Sequence, residues 1–199
     1  VEQGMSALRD LAHHPSTAHY MATRLVTHFI GDDPPAQCIE KVAQVFRDTN
    51  GNLAEVTAAV INLPEAWSFQ TPKIKSPYEL LAAQIRALGI TRGPNPGQIS
   101  DQIIFQSLND LGHLPLNANS PAGWTEHTSD WASGTGIMKR IEWAQAIARR
   151  ISYDANIADL ANDLFGDALQ SSTLQAIKLA PSQIDAITLL LTCPEMQKR

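Results

Sequence analysis

Apolar residues recur along this chain at intervals of three and four, and no stretch alternates apolar and polar side chains long enough to make a strand. That period leaves one architecture, helices packed through apolar stripes. Met5, Leu8 and Leu11 open the pattern. Ala18, Met21, Ala22, Leu25 and Phe29 share a face after Pro15, until Gly31-Asp32-Asp33-Pro34-Pro35 breaks the ladder. Ile39, Val42, Ala43 and Phe46 mark a third helix. Asn52, with Glu55 three residues on, reads as a capping box for a fourth that carries Leu53, Val56, Val60 and Leu63.

The clearest helix start is Ser76-Pro77-Tyr78-Glu79, with an N-cap serine, a proline at the first helical position and a glutamate at the third. Its expected buried stripe is Tyr78, Leu81, Ala82, Ile85 and Leu88, with Gly89 as the exit. Gly93, Pro94, Pro96 and Gly97 make a stiff connector, and Ile99, Ile103, Leu108 and Leu111 form the next stripe. Later helices are expected through Ile137, Ile141, Ala144, Ala148 and Ile151, a stripe that Ile147 widens, then through Ile157, Leu160 and Leu164, through Leu174 and Ile177, and from Pro181 to Leu191. The expected fold is all-α: an irregular multi-helix bundle without a β-sheet, forming one domain over residues 1–199 with a possible waist near 90–98. An internal echo links Phe46-Arg47-Asp48 and Val60 to Glu65 with Phe165-Gly166-Asp167 and Leu190 to Glu195, a recurring helix-pair style rather than a solenoid repeat.

Between Gly112 and Gly136 the helical period stops. A loop this long either has a function or is disordered, and Trp124 and Trp131 argue for one that is ordered and packed. It supplies the candidate binding residues, Trp124, Trp131, His127 and His113. Tryptophans suit sugar stacking or a protein hot spot when exposed, and anchor a loop when buried. Glu126-His127 with Asp130 pairs a carboxylate with an imidazole, as a general base requires. Gly134-Thr135-Gly136 is no nucleophile elbow, however, and no catalytic set can be assembled.

The other chemistry-bearing residues are sparse. His13, His14 and His19 gather at one helix start and His28 stands one turn from Asp32, without a third ligand at metal-binding spacing. Histidines at helix ends are commoner there than metal ligands. No metal or cofactor is expected. Cys38 and Cys193 belong to no C-x-x-C pair; they read as buried thiols, with a disulfide as the alternative. A net charge of −5 without a basic stripe gives nothing for phosphate backbones to grip, so nucleic acid is not an expected partner. The longest apolar run, Ala186 to Leu191 broken by Thr188, is too short to span a bilayer.

Four segments resemble a known family in the same order: His14-Pro15-Ser16-Thr17-Ala18 continuing to His28-Phe29; Lys73-Ile74-Lys75-Ser76-Pro77-Tyr78-Glu79-Leu80; Gly112 to Trp124 with Ser120-Pro121-Ala122-Gly123-Trp124; and Cys193-Pro194-Glu195-Met196-Gln197. The chain is similar there to the bacterial family called domain of unknown function 1800. The resemblance implies a helical protein, in a family with many exported members. It implies no catalytic residues, and it makes this chain a C-terminal portion whose natural partner is the missing N-terminal half, or another protein. Val1 accordingly reads as an interior cut. The expected function is a helical scaffold or interaction module. The alternatives are an enzyme whose catalytic groups lie partly in the N-terminal half, and a carbohydrate-binding module using exposed tryptophans.

Overall fold

The structure, a computed structural model, describes every residue except 69–72, 96, 119, 152 and 154. Among the described residues the chain is all-α, and short isolated bridges, Ile74 with Lys198 and Arg92 with Ile99, are its nearest approach to β-structure. It divides into two units, Val1–Lys73 and Ile74–Arg199. The connector from Gly93 to Gly97 lies inside the second unit, with Pro96 outside the described residues.

The first unit comprises α1 (Glu2–His13), α2 (Pro15–Phe29), α3 (Ala36–Asp48) and α4 (Leu53–Ile61), then a 3-10 turn at Pro64–Trp67. Its core is Ala22, Val26 and Ile30 of the α2 segment, Cys38, Val42 and Ala43 of α3, and Val56, Val60 and Leu63 around α4. Small residues on α2 and α3 let the two backbones approach closely. Lys73 closes the unit: its buried ammonium donates to the Thr27 carbonyl at 2.7 Å and pairs with Asp32 at 3.0 Å. Asn52 caps α4 through the Ala54 amide at 3.1 Å; the reciprocal Glu55 half of the expected box is not formed. Phe29 lies outside the core, because the buried face of α2 runs through Ala18, Ala22 and Val26 instead.

The second unit is built from α5 (Pro77–Ala87), α6 (Asp101–Asp110), the single turn α7 (Thr128–Trp131), α8 (Gly134–Ala148), α9 (Ile157–Phe165) with a 3-10 turn at Gly166–Ala168, α10 (Ser171–Lys178), α11 (Gln183–Thr192) and α12 (Pro194–Gln197). Leu80, Leu81, Leu88, Leu108, Ala144, Ile147, Ile187, Leu190 and Leu191 centre its core. The Ser76 capping box is present in full: the Glu79 amide donates to Ser76 Oγ at 3.4 Å, and the Ser76 amide to Glu79 Oε2 at 2.9 Å.

Two stripes are rotated from their expected positions. On α5 the buried residues are Pro77, Leu80, Leu81 and Gln84, leaving Tyr78 exposed. On α8 they are Arg140, Trp143, Ala144, Ile147 and Ala148, leaving Ile141 at the surface. Each rotation buries a polar side chain that has found partners. Gln84 donates to the Leu191 carbonyl at 2.8 Å and accepts from Trp143 Nε1 at 2.7 Å. Arg140 donates to Gln197 Oε1 at 2.9 Å and to the Lys75 carbonyl at 2.8 Å. Both bonds of Gln84 and one of Arg140 fasten α11, α12 and α8 to neighbours distant in sequence.

The internal echo is real in its second half. After α4 and after α11 the chain passes through an extended residue, Leu63 or Cys193, into Pro-Glu at the start of a new turn. Glu195 reaches back to the start of α10, accepting from the Gln170 amide at 2.9 Å and from Thr173, third in that helix, at 3.2 Å. Glu65 stands in the matching place beside α3, where its charge acts on the thiol of Cys38, third residue of that helix. The helix matching α3 is therefore α10, and the Phe165-Gly166-Asp167 portion of the echo plays no part in this corner.

Candidate functional site

The loop after α6 begins with a fixed geometry. Gly112 adopts φ 77, its amide donates to the Asn109 carbonyl at 2.9 Å, and the His113 amide donates to the Leu108 carbonyl at 2.8 Å. That is a Schellman exit, which needs a residue without a Cβ penalty at Gly112. It presents the His113 ring to the start of α5, where the Tyr78 amide donates to Nδ1 at 3.4 Å. His113 thus completes the cap that Ser76 begins. An acceptor at Nδ1 requires the neutral ring, and burial pushes its pKa below the ordinary 6.5, partly opposed by the charge of Glu79.

Three of the four candidate residues come together around that ring. Trp124 meets it edge-on with centroids 5.0 Å apart, and Trp131 lies 4.8 Å away at an interplanar angle of 32°. The two indoles stand 6.2 Å apart, tilted by 52°. Trp131, 9% exposed, donates through Nε1 to the Thr125 carbonyl at 3.3 Å; Trp124 is half-buried. The turn Ser120 to Gly123, closed at 3.0 Å with Gly123 at φ 85, places Trp124. His127 stands apart as the exposed N-cap residue of α7, its amide donating to Thr125 Oγ1 at 3.2 Å.

The tip of the loop carries strain. Leu116 sits at φ 62 and is fully exposed, in a turn closed by the Asn117 amide on the Leu114 carbonyl at 3.2 Å. Glycine or asparagine usually occupies such a position, since a left-handed leucine costs about 1–2 kcal/mol.

The remaining sequence candidates do not assemble. The described residues hold no group of three histidine, cysteine or acidic side chains placed to share a metal. Cys38 and Cys193 are both buried free thiols in different units. Burial, followed by the charge of Glu65, raises the Cys38 pKa; burial pushes Cys193 up to about 11. No described helix is long and apolar enough to cross a membrane. The surface feature that the sequence pattern did not expose is on α1, whose stripe Met5, Leu8 and Leu11 is wholly exposed, at 62% for Leu8 and 63% for Leu11. Periodicity shows a stripe; it cannot show whether anything covers it.

No curated protein and no solved structure matches this chain. A family model does, over residues 1–198, and the chain belongs to the family described as protein of unknown function, DUF1800.

Proposed function

We propose that the protein is a helical interaction module that docks a protein partner through its first unit. The observation that carries this reading is α1, a twelve-residue amphipathic helix with no buried residue. A helix of this length is marginal in water without tertiary support, so its apolar face calls for a covering surface. Phe29, Ile61 and Trp67 form a second exposed apolar patch on the same unit, around a cavity of about 230 Å³ also walled by Leu25, Val60 and Ala66. A bond from Trp67 Nε1 to the Ile61 carbonyl, 2.7 Å long, holds the indole in place. Contiguous exposed apolar residues of this kind mark interaction surfaces. The loop tryptophans favour docking over sugar stacking, because each packs a face or edge on His113.

A photo-crosslinking side chain at Ala12, beside the stripe, tests the proposal in the cell. One discrete crosslinked protein is expected, lost when Leu8→Asp and Leu11→Asp are introduced together. Those positions are exposed, so the rest of the fold should keep its melting temperature. Diffuse labelling unaffected by the two aspartates would overturn the reading.

A further inference from the structure

Within the second unit, a groove of about 450 Å³ runs between α6 and α8. Its floor is apolar, made by Ile103 and Leu111 from the α6 side and by Trp143 and Ile147 from α8. Trp143 commits its only side-chain donor to Gln84 at 2.7 Å, so the indole offers the groove hydrocarbon alone. The groove stays open midway along its walls because the side chains there are short. Ala146 stands exposed on α8, and the Ser107 hydroxyl folds back onto the Ile103 carbonyl of its own helix at 2.7 Å. Lys139 fixes the spacing of the walls, donating from α8 to the Asp110 carbonyl at the end of α6 at 2.6 Å. A preformed cleft of this size, with an apolar floor and a few charged groups, is the usual form of a small-ligand site.

The charges on the walls fall into two classes. Lys139 and Asp110 have partners within the chain, the Asp110 carboxylate accepting from the Gln106 side-chain amide at 2.8 Å. The Glu142 carboxylate and the Arg150 guanidinium have none among the described residues. Both are exposed and line the groove. Glu142 lies within α8, and Arg150 follows its end in a turn closed by the Arg150 amide on the Ile147 carbonyl at 3.0 Å. About 12 Å of helix rise separates the two, and Ala146, one turn from each, is too short to bridge the gap. The groove therefore presents an anion and a cation two turns apart along an apolar floor.

We propose that this groove binds a short linear peptide as a zwitterion, with its terminal ammonium on Glu142, its carboxylate on Arg150 and an apolar side chain on the floor between them. The separation of the charges selects the length. An α-amino acid carries both charges on one carbon and cannot reach the two partners at once. Three extended residues, at about 3.3 Å each, span about 10 Å, and the flexible side chains of Glu142 and Arg150 close the remainder. Successive side chains of an extended peptide point to opposite faces, so the middle one meets Trp143 and Ile147 while its neighbours face away. The planar guanidinium of Arg150 matches a carboxylate through two parallel bonds. The groove lies in the second unit, apart from α1, and this proposal does not rest on docking through the first unit.

The test is a calorimetric titration of the intact protein with the tripeptide alanyl-leucyl-alanine and with its N-acetylated and C-amidated forms. Saturable binding of the free tripeptide is expected, weakened about fivefold by blocking either end. Glu142→Gln should weaken the free tripeptide by a similar factor and leave the N-acetylated form unaffected; Arg150→Gln should do the same for the free and amidated forms. Ala146→Leu should fill the groove and abolish binding. All three positions are exposed, so each variant should keep the melting temperature of the parent. Absence of saturation by about 10 mM, or variants that act equally on free and blocked peptides, would overturn the proposal. Binding that survives N-acetylation but not amidation would assign the groove to the carboxyl end of a protein, and would overturn the free peptide as its ligand.

Discussion

At the scale of single residues, His113 has the most specific environment in the molecule. Its ring is packed by Trp124 and Trp131 and accepts the Tyr78 amide, so the fold prefers it neutral. The folded pKa lies below the ordinary 6.5, so the unfolded chain takes up the proton first. The stability this ring contributes is therefore fully present above about pH 6.5 and is lost as pH falls through that value towards the folded pKa. Denaturation midpoints measured from about pH 8 to pH 5 should decline through this window, and His113→Gln should flatten the decline. An identical slope in the variant would remove His113 from the account. The sequence showed which loop carried the aromatic residues and that His113 followed a glycine. It could not show that this histidine would cap a helix beginning 36 residues earlier, at Pro77, because that contact depends on the return path of the chain.

At the scale of elements, the sequence carries those signals whose physics is local. Ser76 accepts the Glu79 amide, Glu79 accepts the Ser76 amide and Pro77 has none to satisfy, all within four residues, so the sequence carries the whole capping box. Ser76→Ala should lower unfolding free energy by about 1 kcal/mol, measured as a shift in urea midpoint without a change in slope. An unshifted midpoint would show that His113, bonded to the next amide, suffices as cap. The buried faces of α5 and α8 were less legible. An apolar stripe assigns polar residues to solvent, yet Gln84 and Arg140 are buried and turn both helices away from the orientation their apolar residues suggest. On α1 the stripe was legible, but its lack of a covering surface was not.

At the scale of the whole molecule, the division after Lys73 gives each unit its own core, and the second unit is tied together by polar bonds across long sequence separations. Gln84 joins α5 to both Trp143 of α8 and the end of α11. Gln84→Leu keeps the volume but orphans the Trp143 N–H, and should cost about 2 kcal/mol despite the added apolar surface. Adding Trp143→Phe removes that donor, so the double variant should be less destabilised than the two single changes summed. Simple additivity in calorimetric melts would show that the bond contributes nothing beyond packing.

The sequence by itself determined the all-α class, the Ser76 and Asn52 caps, the absence of a described membrane-length helix and the family, because each rests on local period, spacing or matching residues. Tertiary structure alone decided which faces are buried, that His113, Trp124 and Trp131 form one cluster without His127, and that Arg140 lies buried beside the start of α8. The physical reason is the range of the interactions. Helix periodicity and capping act within a few residues, whereas the burial of a polar group is settled by the partner that the folded chain brings to it.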